Sequence, residues 1–260
     1  MSNDDIRAFY DRTMPEKLGD DYEHARWFAD PLRKAGYDLT KGAIERHVTG
    51  DDSLEPVRIL ELGPGAGTWT KLLLARFPDA YFDLLDISEE MLARAKAALG
   101  AKEHIRYITS DVMQWTPEGK YDYFFSSRVL EYIDDKKGFC VKVFSALEPG
   151  GRGFLITKMP HYERERFLGR KTSQFHGGQI APGALCDELR AAGFIDIDAY
   201  PVTTSIPLLH FAWLNLLFGK LFARFTLGPI GMFFAESYCV LFRKPLPAQI
   251  FKNTRSNLRN

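Results

Sequence analysis

The chain has 260 residues, enough for one sizeable α/β domain with a real core. Its 34 basic and 34 acidic residues cancel, and a nucleic-acid enzyme usually carries a basic surplus, so the balance argues against DNA or RNA as the partner. The three cysteines, Cys140, Cys186 and Cys239, lie far apart with no C-x-x-C, which argues against zinc and against a disulfide framework and reads as buried thiols in a reducing cytosol. No metal site is expected. The opening Met-Ser-Asn-Asp-Asp lacks the basic-then-apolar order of a secretory signal.

Residues 1–50 are predicted to form a helical cap. Ile6, Phe9 and Tyr10 recur at helical spacing, and Tyr22 to Trp27 and Leu39 to Val48 look like further amphipathic pieces. Polar Asp51-Asp-Ser53 and Pro56 then lead into Val57–Leu62, a short apolar run that reads as a buried parallel strand. Gly63, Gly65 and Gly67 follow at alternate positions, and Thr70–Arg76 carries a leucine run suited to a helix. Strand, glycine loop and helix start together make a cradle for a polar ligand: the glycines admit a close backbone, and the helix start offers free N–H groups. The loop is neither of two common fingerprints. The third glycine comes too early for G-x-G-x-x-G, where Thr68 stands instead, and Gly67-Thr68-Trp69 does not end a P-loop. Taken alone, it also reads as a plain tight turn.

Ala80–Asp86 reads as a second strand ending in an acid. Asp86 lies about twenty residues past the loop, the spacing at which an acid can hold a ribose diol. Ser88 is a candidate N-cap for a helix running to Leu99, with Gly100 as its stop. Ile105–Asp111 is a third strand ending in an acid. Both Asp86 and Asp111 also suit plain capping of the next helix.

Gln114–Lys120 reads as a loop and Tyr121–Ser126 as an aromatic fourth strand. Ligands meet the carboxyl ends of parallel strands, so the residues from Ser126 to Tyr132 are expected beside the site. Lys136–Leu147 is predicted helical, Pro149-Gly-Gly151 a turn, and Arg152–Thr157 a fifth strand. The segment 158–176 should then wall a substrate pocket. It carries His161 and His176, with Lys158, Arg164, Arg166, Arg170 and Lys171. Histidine can take a proton near neutral pH, and arginine grips phosphate. A solvated helix, with Glu163 and Glu165 balancing the arginines, fits the same pattern. Pro182–Ala192 is a helix stopped by Gly193. Phe194–Val202 and Ser237–Phe242 are the sixth and seventh strands.

Between those strands, 206–235 is the most apolar stretch. Lys220, Arg224 and Gly228-Pro229 interrupt it, so it falls short of the about 20 uncharged apolar residues of a spanning helix. An apolar helix lying in a membrane interface fits its composition. A lid over the chain's own pocket and a dimer contact fit it too. Residues 246–260 read as a flexible tail.

At Glu61-Leu-Gly-Pro-Gly-Ala-Gly67, Leu85-Asp-Ile-Ser88, Ser110-Asp-Val112, Val129-Leu-Glu-Tyr132 and Leu147-Glu-Pro-Gly-Gly-Arg152 the chain resembles the class I S-adenosylmethionine-dependent methyltransferases. The order and spacing of these motifs carry the resemblance, which covers roughly residues 50 to 200 and continues to the final strand. It implies an α/β Rossmann-like, seven-stranded, mostly parallel sheet with the last strand antiparallel. The cap and the apolar insertion would complete one domain over 1–245. It also implies S-adenosylmethionine as cofactor. Glu61, Gly63 and Gly65 would line its methionine part, Asp86 its ribose, Ile87 its adenine face, and Asp111 with Val112 its adenine edge. Ser126 would sit beside the sulfonium, and Phe9-Tyr-Asp11 resembles the aromatic element that closes the site, which makes Tyr10 a candidate contact. Packing is the alternative role for Tyr10, and the favoured one for Arg26 and Trp27. Many relatives have His where Tyr132 stands, which removes one candidate base, and Glu131 is commonly structural. The N-P-P-Y motif of amino-methylating DNA enzymes is absent.

The expectation is a methyltransferase in which the acceptor attacks the activated methyl in line with the departing sulfur, so that catalysis is largely alignment. His176, with His161 as alternate, is the expected base for an acceptor that loses a proton. The acceptor is expected to be a small molecule of amphiphilic or membrane-borne kind, such as a lipid head group or lipid-linked molecule. The enzyme would be cytoplasmic, and peripheral on the inner face of a membrane if 206–235 meets lipid. A soluble enzyme of a small secondary metabolite, with 206–235 as lid, is the first alternative. A non-catalytic cofactor-binding partner protein is the second.

Overall fold

The computed structural model describes residues 2–19, 21–160, 178–204, 211–222 and 234–247. Short helices come first: α1 (Asn3–Ala8), α2 (Met14–Leu18), α3 (Tyr22–Trp27) and α4 (Pro31–Ile44). Ser2 starts α1 with a reciprocal capping box to Asp5, and Asp30 caps α4 just ahead of Pro31, whose missing N–H is harmless there. Wider π-helical turns, Phe9–Thr13 and Glu45–Thr49, continue α1 and α4.

The sheet follows: β1 (Arg58–Leu62), β2 (Tyr81–Asp86), β3 (Ile105–Thr109), β4 (Tyr121–Ser127), β5 (Leu147–Lys158), β6 (Ile195–Thr204) and β7 (Ala235–Arg243). Helices α5 (Thr70–Arg76), α6 (Glu89–Leu99), α7 (Lys136–Ala146) and α8 (Pro182–Ala192) make the crossovers, and α9 (Ala212–Phe222) lies in the connection before β7. The seven strands stand in the order β3-β2-β1-β4-β5-β7-β6. The pairs from β3 to β5 are parallel, and β7 runs antiparallel to both β5 and β6. This is the predicted Rossmann-like sheet. The chain order reverses between β1 and β4, so their carboxyl ends open a crevice at that point.

Burial on both faces explains why these strands are near-continuous apolar runs. One layer packs Phe124, Phe139, Leu155 and Tyr238, and the other packs Phe82, Leu84, Phe125 and Phe154. Each such side chain contributes roughly 1.5–3 kcal/mol on burial. All three cysteines are buried free thiols.

One boundary differs from expectation. The seventh helix ends at Ala146, and Leu147 is already in β5, opposite Tyr121. Pro149-Gly-Gly151 therefore lies within the strand rather than forming only a turn. Gly150 takes φ +85, and its N–H donates to the Lys244 carbonyl at 2.9 Å, so the bend is paired across the sheet instead of left to solvent. A periodicity count cannot see that partner.

Helix α9 seats on α4. A Cβ at Gly219 would stand 2.4 Å from Leu39 Cδ2, so glycine permits this approach. Thr204 Oγ1, at the carboxyl end of β6, donates to the Asn215 carbonyl at 3.1 Å. The outer face carries Trp213, Leu217 and Leu221, which are 62%, 57% and 57% exposed. Among the described residues, no helix is long and apolar enough to cross a membrane.

Candidate active site

The cradle forms where β1 ends. Gly63 takes φ +70, and its N–H donates to the Leu85 carbonyl at 2.8 Å, which ties the loop to β2. A Cβ at Gly63 would stand 2.1 Å from Val129 Cγ2. The loop and the segment after β4 can therefore close on each other only around glycine. At the tip of β2, Asp86 accepts the Ser88 amide at 3.0 Å. Burial pushes this carboxylate up to about 6 although amides of Ser88, Gly65 and Ile87 bond to it, and the charge of Asp11 adds to the rise. An acid held this way favours a neutral or hydrogen-donating ligand group.

Gly63, Gly65, Asp86, Ile87, Asp111, Val112 and Tyr10 line one cleft. Glu61 and Ser126 lie behind its wall. Glu61 is 1% exposed, and burial pushes its carboxyl up to about 8, with Asp86 acting in the same direction. Ser126 Oγ donates to the Leu62 carbonyl at 3.0 Å and so pins β4 to the start of the loop. Asp111 is partnered within the chain: Oδ1 accepts the Met113 amide at 2.8 Å and Oδ2 accepts Asn3 Nδ2 at 2.7 Å. His161 and His176 lie outside the described residues, as do Arg164, Arg166, Arg170 and Lys171.

The N-terminal helices form a roof over this cleft, and hydrogen bonds fasten it. Ser88 Oγ donates to Asp11 Oδ1 at 2.5 Å, Thr68 Oγ1 to Glu23 Oε2 at 2.5 Å, and Arg94 to the Gly19 carbonyl at 3.1 Å. The Tyr10 and Tyr132 hydroxyls meet at 2.8 Å across the cleft mouth. Burial raises both phenols, so both stay protonated at neutral pH and neither serves as a base there. Aromatic contacts from Trp27 and Tyr37 to Trp69, at 5.3 and 5.2 Å, hold α3 and α4 onto the loop.

Two arginines line the same cleft. Arg26 donates to the Tyr22 hydroxyl at 2.7 Å and lies 5.0 Å over the Trp27 ring. Burial opposes its charge, but the oxygens of Tyr22, Tyr10 and Tyr132 prevail and keep it protonated. Arg128 takes φ +66, and its N–H donates to the Ile156 carbonyl at 2.9 Å. Its Nε is buried with no hydrogen-bond partner among the described residues. A non-glycine residue held in that region costs about 1–3 kcal/mol and points to function. Glu131, in the turn after β4, accepts from Thr157 Oγ1 at 3.0 Å, a bracing contact between neighbouring strand ends.

Sequence reasoning favoured packing for Arg26 and Trp27; Trp27 does pack on Trp69, and both residues also line the cleft. It also passed over Arg128, Glu23 and Thr68. A charged residue at the carboxyl end of a central strand was the available signal for Arg128. The Glu23–Thr68 contact joins residues of the roof and the loop and leaves no local pattern.

The fold and this crevice define an α/β protein that binds its ligand at the topological switch point. Residues 59–151 match the model of a methyltransferase domain family. Malonyl-[acyl-carrier protein] O-methyltransferase 2 of Ilyobacter polytropus is 35% identical over 133 residues, which are 46% of this chain and 51% of that one. Trans-aconitate 2-methyltransferase of an Acidovorax species is 27% identical over 172 residues, covering 62% of this chain and 63% of that one. The chain thus spans about half to two thirds of the length of these curated relatives. Among solved structures, phosphoethanolamine N-methyltransferase 2 of Haemonchus contortus, bound to phosphomonomethylethanolamine and S-adenosylhomocysteine, superposes with TM-score 0.64 at 18% identity. That match covers 94% of this chain and 61% of the other. Magnesium protoporphyrin IX methyltransferase of Synechocystis, with S-adenosylhomocysteine bound, gives TM-score 0.63 at 15% identity over 94% of this chain and 100% of the other. Over residues 59–151 the chain is thus similar to a methyltransferase domain family, and its fold is that of solved S-adenosylmethionine-dependent methyltransferases.

Proposed function

We propose that this chain transfers a methyl group from S-adenosylmethionine to an amphiphilic or membrane-borne acceptor. The cofactor fits the cleft on three counts. Gly63 and Gly65 line it with bare backbone at φ +70 and +57, Asp86 stands at the second strand's tip, and Glu23 Oε1 is buried in the same wall without a partner among the described residues. Bound there, the cofactor would supply a methyl group activated on a sulfonium. Asp86 would accept from the ribose hydroxyls. Ile87 and Val112 would flank the adenine, with Asp111 at its edge. Arg26, in the cleft lining, would pair with the amino-acid carboxylate, and Glu23 would accept from the amino group. Glu61 and Ser126 would act behind the wall by holding the loop and β4 in place. Tyr10 and Tyr132 would close the mouth and exclude water. For an acceptor that must lose a proton, His176 is the proposed base and His161 its alternate.

The membrane part of the proposal rests on one observation. Helix α9 leaves the carboxyl end of β6, the edge that carries the cleft, and turns Trp213, Leu217 and Leu221 outward at i, i+4 and i+8. Phe211, also exposed, precedes them, and the exposed Lys220 lies beside them. An apolar stripe with tryptophan at one end and a cation at the other suits the interface of a bilayer with anionic lipid. A second reading has a soluble acceptor, with α9 serving the chain's own fold. The named substrates of the sequence relatives, malonyl-[acyl-carrier protein] and trans-aconitate, favour it.

A transfer assay separates the two. The chain is incubated with methyl-labelled S-adenosylmethionine and a total cell extract, which is then split into organic and aqueous phases, with Asp86→Ala as control. Label in the organic phase, lost in Asp86→Ala and in Trp213→Asp/Leu217→Asp, is the expected result. Label confined to the aqueous phase and indifferent to the α9 substitutions would sink the membrane reading and leave a soluble methyltransferase. No label in either phase, with cofactor still bound, would point to a non-catalytic partner protein.

A further inference from the structure

We propose that Arg128, with Lys158 on the neighbouring strand, seats an anionic group of the acceptor, a carboxylate or a phosphate. This inference rests on the methyltransferase reading and names the acceptor chemistry of the same site.

The placement comes from the sheet. Arg128 follows the carboxyl end of β4 and Lys158 ends β5, and the two strands pair directly, Ser127 opposite Ile156. Both cations therefore stand at the ligand edge of the sheet, and Arg128 lines the cleft itself. Arg26, from the roof, lies near enough for its charge to act on both, and it is assigned to the cofactor.

Arg128 is held there against local preference. Its backbone at φ +66 would suit glycine, and the bond from its N–H to Ile156 fixes the side chain's starting direction. The side chain lines the cleft, and its Nε is buried without a partner among the described residues. Buried polar groups of folded proteins are almost always satisfied, so an orphan guanidinium nitrogen in a cleft marks a position that a ligand completes.

The surrounding charges agree. Two acids face this cluster, Glu131 and Glu236. Glu131 spends an oxygen on Thr157, and Glu236 is exposed. Neither makes an ion pair with Arg128 or Lys158 among the described residues. Burial lowers both cations below their usual values. For Lys158 the charge of Arg128 lowers it further, and Glu131 only partly offsets that. An incoming anion would relieve this strain. The guanidinium fork matches the oxygens of a carboxylate or phosphate in pairs, and the ammonium adds a point charge beside it.

The test uses the 260-residue chain loaded with S-adenosylhomocysteine. Sodium phosphate and sodium malonate are titrated separately by calorimetry into wild type, Arg128→Gly, Arg128→Lys and Lys158→Gln. Glycine takes the φ of position 128 freely, so Arg128→Gly is expected to fold, and thermal unfolding checks this. Lys158→Gln gives a second variant that does not depend on that backbone. The wild type should bind one of the two anions, and the stronger one identifies the acceptor group. Arg128→Gly should weaken that anion by about tenfold to a hundredfold, the range of a lost charge-assisted contact. Arg128→Lys and Lys158→Gln should weaken it less. S-adenosylhomocysteine should bind all four proteins alike. Absence of anion binding in the wild type, or equal binding in Arg128→Gly and Lys158→Gln, overturns the proposal while the methyltransferase reading stands. Failure of the wild type to bind S-adenosylhomocysteine overturns that reading and this one with it.

Discussion

Asp86 is one side chain asked to do two things. It bonds the amides of the turn after β2, and it faces the cleft with a carboxylate that burial makes reluctant to ionise. Capping and ligand binding are thus not rivals at this position, because the carboxylate serves the turn and the cleft together. Asp86→Ala should weaken S-adenosylhomocysteine by about tenfold to a hundredfold, read by calorimetry, since charge-assisted hydrogen bonds to the ligand are lost. An unchanged affinity would leave Asp86 with the capping role alone. Asp111 differs in degree: both oxygens already have partners in the chain, so any ligand contact there must share an oxygen with Met113 or Asn3.

Among the elements, the N-terminal helices and α9 carry what is particular to this chain. The roof is tied down by side-chain bonds, Asp11 to Ser88 and Glu23 to Thr68, beside apolar contacts of Tyr22 with Ala66 and Met91 and of Trp27 and Tyr37 with Trp69. Bonds of this kind contribute about 1 kcal/mol each, little enough to open on a catalytic timescale. Asp11→Ala combined with Thr68→Ala should raise the dissociation rate of S-adenosylhomocysteine by roughly tenfold in stopped flow and leave the melting temperature nearly unchanged. A slower or unaltered release would mean that the roof does not gate the cofactor. Helix α9 shows the opposite balance. Its inner face is locked onto Leu39 through Gly219 while its outer stripe is exposed, so the packing that holds the helix also commits its apolar residues to the outside.

For the whole molecule, half-buried His47 and buried Glu61 set opposing pH dependences. His47 is pushed down to about 4, first by burial and then by the charge of Arg46. Its folded value lies below the unfolded value of 6.5, so the stability it contributes is complete above 6.5 and is lost as pH falls toward 4. Allowing for its partial exposure, the loss is about 2 kcal/mol. His47 stacks on Tyr200 at 4.6 Å, and phenylalanine can take that place, so His47→Phe should remove the acid-side loss. Glu61 acts in the other direction. Its folded value of about 8 exceeds the ordinary 4.5, so the ligand-free chain loses stability as pH rises from 4.5 through 8. Glu61→Gln should flatten that decline. Urea unfolding of the ligand-free proteins at about pH 4.5, 6.5 and 8.5 reads both effects as differences from wild type. Identical differences at every pH would remove both groups from the account.

Much of this architecture is legible in one dimension. Val57–Leu62 followed by glycines at alternate positions, Asp86 at its spacing from that loop, and apolar runs separated by helical patterns are local features. Backbone sterics and hydrophobic periodicity act over a few residues, so they can be read without the fold. Motif order then supplied the sheet and the resemblance to methyltransferases. The remainder was decided by contacts between distant parts of the chain. Tyr10 meets Tyr132 across 122 positions, Leu147 joins a strand because Tyr121 lies opposite, and Gly219 matters only because Leu39 lies against it. Arg128 is the clearest instance. Nothing in Ser-Ser-Arg-Val-Leu announces a left-handed backbone or an orphan guanidinium nitrogen, for both arise only when β4 and β5 come together beneath the roof.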